Sequence, residues 1–127
     1  MSDATRTVLI VDDDPQMLRL LRAMLGPHNV SVLSAPRPSD ALKICMEATV
    51  DVLISDVEMP EMDGNKLAER VLKLYPRASI LLISGAVSEP PAVRGAAGRV
   101  RFLKKPFFPA ELVQLLRAML ADKAEYA

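Results

Sequence analysis

Three aspartates, Asp12, Asp13 and Asp14, follow directly on the apolar run Val8–Val11. A second acidic position, Asp56, closes the run that begins at Val50. Ser84 follows Ile80–Ile83, and Lys105 comes shortly after Val100–Leu103. Carboxylates placed side by side raise one another's pKa, so such a group is costly alone. A hard divalent cation removes that cost. Mg²⁺ favours few carboxylates, several waters and a phosphate oxygen. A lysine ammonium and a serine hydroxyl can serve two further phosphoryl oxygens. Ringed by such groups, an aspartate can itself attack phosphorus and form an acyl phosphate. Asp56 is the candidate nucleophile, because it stands alone with the others around it.

These residues need a scaffold that brings four distant segments together. Five short apolar runs supply it: Val8–Val11, Val30–Leu33, Val50–Ile54, Ile80–Ile83 and Val100–Leu103. They read as strands, and the first and fourth, apolar throughout, read as buried on both faces. Between them the period lengthens. Leu18, Leu21 and Leu25 share a helix face; Asp14 is its cap, Pro15 its first residue and Gly26 its end. Ala41, Ile44, Cys45 and Ala48 repeat the pattern. So do Leu67, Val71, Leu74 and Tyr75, stopped by Pro76. Leu112, Leu115, Leu116, Met119 and Leu120 form the last stripe. Ser88 to Gly98, with Pro90, Pro91, Gly95 and Gly98, permits only a short or irregular helix. Alternating strands and helices predict an α/β fold, a doubly wound three-layer sandwich of five βα units with right-handed crossovers. In such sheets ligands bind past the carboxyl ends of the strands, at the switch point. With strand order 2-1-3-4-5, Asp12 and Asp13 face Asp56 there.

Composition narrows the function classes. The 127 residues fit one domain, half of them hydrophobic. Sixteen basic residues balance sixteen acidic ones, which argues against a general binder of nucleic acid or membrane surfaces. The single cysteine, Cys45, excludes an intrachain disulfide and points to a reducing, cytoplasmic setting. No apolar run is long enough to span a bilayer, and the N-terminus lacks a signal-peptide pattern.

The segments VDDDP, ISDVEMPEMDG, LLISG and FLKKPF, in that order at four strand ends, resemble the receiver domain of two-component response regulators. The resemblance runs from about Val8 to the last helix. It implies a flavodoxin-like receiver fold over residues 1–127, with its core at about 6–122. It implies that Asp12, Asp13, Asp56 and the backbone carbonyl of Glu58 hold Mg²⁺, and that Asp56 is the phosphoacceptor. Ser84 and Lys105 become phosphoryl-stabilising residues, Lys105 preceding a cis proline, Pro106. Ser84 and Phe102 become the switch pair. The donor is then a phosphohistidine on a histidine kinase or a histidine phosphotransfer protein. The response is a change in the face made by helix four, strand five and helix five, read by an unidentified output protein. Two departures stand out: the prolines where helix four begins, and a phenylalanine at 102 with no phenolic hydroxyl to hold it outward.

Plainer roles compete at several positions. Asp14 reads better as a helix cap than as a third cluster member. Glu58, Glu61 and Asp63 read as loop charges, although Glu58 is close enough to Asp56 for its side chain to influence phosphoryl hydrolysis. Met59–Pro60 and Asp63–Gly64 shape a loop, with Gly64 a candidate for positive φ. Arg94, Arg99, Arg101 and Lys104 read as a solvated edge, His28 as a loop residue and Cys45 as core. One of Phe107 and Phe108 should pack inward. A second function class is a small Mg²⁺-dependent phosphohydrolase using Asp12-x-Asp14, which leaves Asp56 without a role. A third is an adaptor that uses the fold without phosphorylation, which an intact residue set disfavours. Only DKAEYA is expected to remain after the last helix, so the chain reads either as a stand-alone receiver or as part of a longer protein.

Overall fold

The computed structural model describes residues 5–86, 93–95 and 98–125. Five parallel strands form one sheet: β1 (Arg6–Val11), β2 (Val30–Ala35), β3 (Val52–Asp56), β4 (Ser79–Ser84) and β5 (Val100–Lys104). Their order is β2-β1-β3-β4-β5, as the doubly wound reading requires. Among the described residues there are four α-helices: α1 (Pro15–Leu25), α2 (Pro38–Glu47), α3 (Gly64–Leu74) and α4 (Pro109–Glu125). The last stripe of the sequence is therefore α4. The short or irregular helix expected between β4 and β5 falls largely on residues 87–92 and 96–97, outside the described residues. Val93–Gly95 and Gly98, which are described, are not helical.

Alternation along the strands splits the core in two. Leu9, Val11, Leu53, Ile80 and Leu82 face α2 and α3, packing with Ala41, Cys45, Leu67, Ala68 and Val71. Val8, Ile10, Val52, Ile54, Leu81 and Ile83 face α1 and α4, packing with Leu21, Leu25, Leu112, Leu116 and Met119. This is why β1 and β4 carry unbroken apolar runs: each residue meets a helix layer on one side or the other. β3 is buried over its whole length as well. Its polar members are placed at specific jobs. Ser55 donates to the carbonyl of Asp56 at 2.8 Å. Just before the strand, Asp51 accepts the Thr7 N–H at 2.8 Å and fixes the start of β1.

Helix ends decide where the strand-end loops go. Asp14 caps α1 by accepting the Gln16 N–H at 2.9 Å, with Pro15 in the first turn. Gly26 ends α1 as expected, its N–H donating to the Arg22 carbonyl. Its φ is −50°, the chain continues through a short 3-10 turn at Gly26–His28, and Asn29 takes the left-handed conformation. His28 sits in that turn, half-buried. Asp63 caps α3 by accepting the Lys66 N–H at 3.0 Å. Arg37 precedes α2 but offers no side-chain cap. Glu61 supplies one from another loop, accepting the Ser39 N–H at 3.1 Å and facing the Ser39 hydroxyl at 3.2 Å. Glu61 is thus a structural cap across two elements, not merely a solvated loop charge.

Gly64, the first residue of α3, is needed for a reason other than positive φ. It is buried, and a Cβ there would collide with the backbone carbonyl of Asp56. Its own N–H donates to the Val57 carbonyl at 2.8 Å. A side chain would push α3 off the end of β3, so the glycine allows a close approach. Positive φ among the described glycines occurs at Gly95 and Gly98.

Candidate functional site

The site lies where β1, β3, β4 and β5 end. β1 and β3 are neighbours, but the chain leaves them toward opposite faces, and the cleft between them stays open to a ligand. Asp12 follows β1 and is only 2 % exposed. Its Oδ1 accepts the Asp14 N–H at 2.9 Å, which aims the carboxylate into the cleft. Asp13 is exposed beside it. Asp56 ends β3 and is 6 % exposed, and its Oδ1 accepts the Glu58 N–H at 3.3 Å. One carboxylate oxygen from each of Asp12, Asp13 and Asp56 falls within 4.8 Å of the others. Asp14 is not brought into the cluster, since its carboxylate caps α1.

Lys105 leans over this cluster from the end of β5. Its Nζ stands 3.6 Å from Asp56 Oδ2 and 3.8 Å from Asp12 Oδ2. These spans are ion-pair contacts, longer than good hydrogen bonds. The backbone holds Lys105 in place: its N–H donates to the Ser84 carbonyl at 2.8 Å, and the bond to Pro106 is cis. One ammonium does not offset the burial of two carboxylates. Burial pushes the Asp12 carboxyl up to about 6, against the pull of the Asp14 N–H and Lys105. Burial raises Asp56 as well; Lys105 and the Glu58 N–H oppose this, and the Glu58 and Asp13 charges add to it. The cleft therefore carries an excess of negative charge that a divalent cation would relieve. Three convergent carboxylate oxygens, one from an exposed side chain, suit a small hard cation such as Mg²⁺.

Ser84 ends β4 and is fully buried. Its hydroxyl donates to Glu58 Oε2 at 2.6 Å and accepts the Ala86 N–H at 3.1 Å. Phe102 lies opposite Leu82 in the β4–β5 register and packs, half-buried, against the α2/α3 core. Ser84 is two residues beyond Leu82, so it points toward the same face. Phe107 packs against the α1/α4 core while Phe108 is 76 % exposed, which separates the pair as expected. The Phe107 side borders an open groove of about 440 Å³ that also touches Met17, Leu20, Met24, Lys105 and Pro109.

Sequence reasoning missed two contacts near the site, the Glu58–Ser84 hydrogen bond and the Glu61 cap. Their partners are 26 and 22 residues apart, so no local spacing marks them. The only available signal was the charge density of the loop after Asp56.

Fold and site together define a flavodoxin-like α/β domain with an acidic switch-point cleft. The chain belongs to the response regulator receiver domain family, whose model matches residues 8–117. It is 34 % identical over 125 residues to the transcriptional regulatory protein GlrR of Escherichia coli (strain K12), covering 98 % of this chain and 28 % of that protein. It is 35 % identical over 121 residues to the response regulator protein TodT of Pseudomonas putida, covering 94 % of this chain and 53 % of that one. The chain thus spans about a quarter and about half of these two relatives. Among solved structures, the signal receiver domain of an HD domain-containing protein from Pseudomonas fluorescens Pf-5 superimposes with a TM-score of 0.81 at 28 % identity, covering 95 % of this chain and 98 % of that one. Receiver domains are signalling switches of two-component systems rather than classical enzymes, and response regulators act with histidine kinases and output domains. No described helix is long and apolar enough to cross a membrane.

Proposed function

We propose that this receiver domain is a phosphoacceptor switch in which Asp56 takes a phosphoryl group from a phosphohistidine. The observation that carries the reading is the meeting of the Asp12, Asp13 and Asp56 carboxylates in one cleft, with Lys105 3.6 Å from Asp56. Asp56 Oδ attacks phosphorus, the P–N bond breaks, and the imidazole nitrogen takes a proton. Mg²⁺ held by Asp12, Asp13, Asp56 and the Glu58 carbonyl would neutralise the cleft and favour the ionised, nucleophilic form of Asp56. Lys105 holds one phosphoryl oxygen as a point charge, and Ser84 turns its hydroxyl toward another. Phe102 then follows Ser84 inward, and the face around β5 and α4 changes shape. A modest differential stabilisation by the phosphoryl group is enough for such local repacking. Water attack at phosphorus later cleaves the P–O bond, releases orthophosphate and resets the domain, so no turnover beyond self-catalysed transfer and hydrolysis is needed.

The partners in this reading are a histidine kinase or histidine phosphotransfer protein and an output protein, with no direct contact to nucleic acid or membrane. It treats residues 1–127 as one receiver domain and places it in the cytoplasm, in keeping with its single, buried cysteine. The phosphohydrolase alternative is weaker because Asp14, half of its Asp-x-Asp pair, is committed to capping α1. The test is incubation with Mg²⁺ and a small-molecule phosphodonor, followed by intact mass measurement. The wild type should gain one phosphoryl group and Asp56→Asn none; equal labelling of the variant would overturn the acceptor assignment. Steady turnover of p-nitrophenyl phosphate would favour the hydrolase instead.

A further inference from the structure

The Ser84 hydroxyl has one proton, which can point in only one direction at a time. Here it points at Glu58 Oε2, 2.6 Å away, while the Ala86 N–H occupies the other side of the oxygen. A short bond from a hydroxyl to a carboxylate is among the stronger neutral–ion hydrogen bonds. Glu58 is also tied to the acceptor itself, because its N–H donates to Asp56 Oδ1. One residue therefore bridges the end of β3 and the end of β4. Neither a backbone metal ligand nor a solvated loop charge accounts for the direction of its side chain.

We propose that the Glu58 carboxylate is a restraint on the switch. It holds the Ser84 hydroxyl in a resting position and must surrender it before Ser84 can serve an oxygen on Asp56. This inference rests on the phosphoacceptor reading. Activation then exchanges one anionic acceptor for another, so the net gain from recruiting Ser84 is smaller than its bond to the phosphoryl oxygen alone. Glu58 acts here as a positioning residue. Its charge has a second, separable effect: it faces the same cleft and opposes added negative charge on Asp56 whether or not Ser84 is present.

A double-mutant cycle separates the two effects. The probe is beryllofluoride with Mg²⁺, a mimic of the phosphoryl group, and the readout is its apparent affinity. Glu58→Ala should tighten binding about tenfold when Ser84 is present, through release of the hydroxyl and loss of the charge together. In the Ser84→Ala background the same change should give only about threefold, from charge alone. Glu58→Gln, which can still accept from Ser84 but carries no charge, should fall between. Before any probe is added, the Ala86 amide NMR signal should move in Glu58→Ala, because its acceptor has been reoriented. Equal factors in both backgrounds, or an unmoved Ala86 signal, would overturn the restraint. Failure of the wild type to bind beryllofluoride would instead overturn the phosphoacceptor reading beneath it.

Discussion

Replacing Asp12 with asparagine should make the protein more stable when no divalent cation is present. Asp12 is buried, and burial raises its carboxyl from the ordinary 3.8 to about 6. The folded state therefore binds this proton more tightly than the unfolded chain does. Stability from this group is highest below the unfolded value, falls as pH rises from about 4 to about 6, and stays low above that. A difference of roughly two pKa units corresponds to about 3 kcal/mol at about pH 8. The linkage expression leaves roughly half of the penalty at about pH 5 and only a small part of it at about pH 4. Asparagine has nearly the same shape, and its side-chain oxygen can keep the bond from the Asp14 N–H. The attraction to Lys105 already counts in the raised value, so the observed gain should be about 3 kcal/mol at about pH 8. The assay is urea unfolding of wild type and Asp12→Asn with a chelator present, at several pH values. The variant should unfold at higher urea near neutrality, and the gap should close toward pH 4. Millimolar Mg²⁺ should stabilise the wild type by mass action and the variant much less. A variant no more stable than the wild type, or a gap that widens on acidification, would refute the burial argument.

Two other perturbations separate jobs that look alike in the sequence. Asp13→Ala should cut Mg²⁺ affinity at least tenfold in a titration while leaving urea stability nearly unchanged, because its side chain is exposed and only the cation needs it. Asp14→Ala should do the reverse: about 1 kcal/mol of stability lost with the α1 cap, and Mg²⁺ affinity kept. Gly64→Ala should cost about 2 kcal/mol or more, since its Cβ meets backbone rather than a movable side chain. It should also lower the rate of phosphoryl uptake by displacing Asp56; wild-type stability in thermal unfolding would refute the close-approach explanation.

The strands and the strand-end residues were legible because each rests on a local pattern, while the strand order followed from the doubly wound fold they imply. Val8–Val11 and Ile80–Ile83 are apolar throughout because two helix layers bury them, and the acidic and basic residues sit where those runs stop. The Asp14 cap was legible for the same reason, since cap, proline and apolar face are adjacent. Gly64 was recognised as special, but the cause was hidden: a φ value is a local property, whereas contact with the Asp56 carbonyl depends on how α3 returns to β3. Gly26 ends α1 as its place after the apolar stripe suggests, but the 3-10 turn that follows, and the left-handed Asn29 that closes it, have no comparable local mark. Tyr75 belongs to an apolar stripe by its spacing, yet its hydroxyl reaches the carbonyls of Cys45 and Ala48 at 2.7 and 3.0 Å, tying the end of α3 to the end of α2.

The loop after Asp56 shows how the protein keeps its acidic site distinct in a chain with no net charge. Glu58, Glu61 and Asp63 stand within a few residues of Asp56, a density at which six carboxylates could act as one diffuse field. Each of the loop acids instead meets its own donor: Glu58 the Ser84 hydroxyl, Glu61 the start of α2, and Asp63 the N–H of Lys66 in α3. The two helix-capping acids are further stabilised by the positive ends of the helices they face. Asp12 and Asp56 each accept one backbone N–H, and among the described residues Lys105 is the ammonium that these three acids share, at ion-pair range of two. The unsatisfied charge is therefore concentrated where the strands end. Because the same loop carries the Glu58 carbonyl and pins α2 and α3, a cation or phosphoryl group that shifts it by even a fraction of an ångström acts on two helix ends at once.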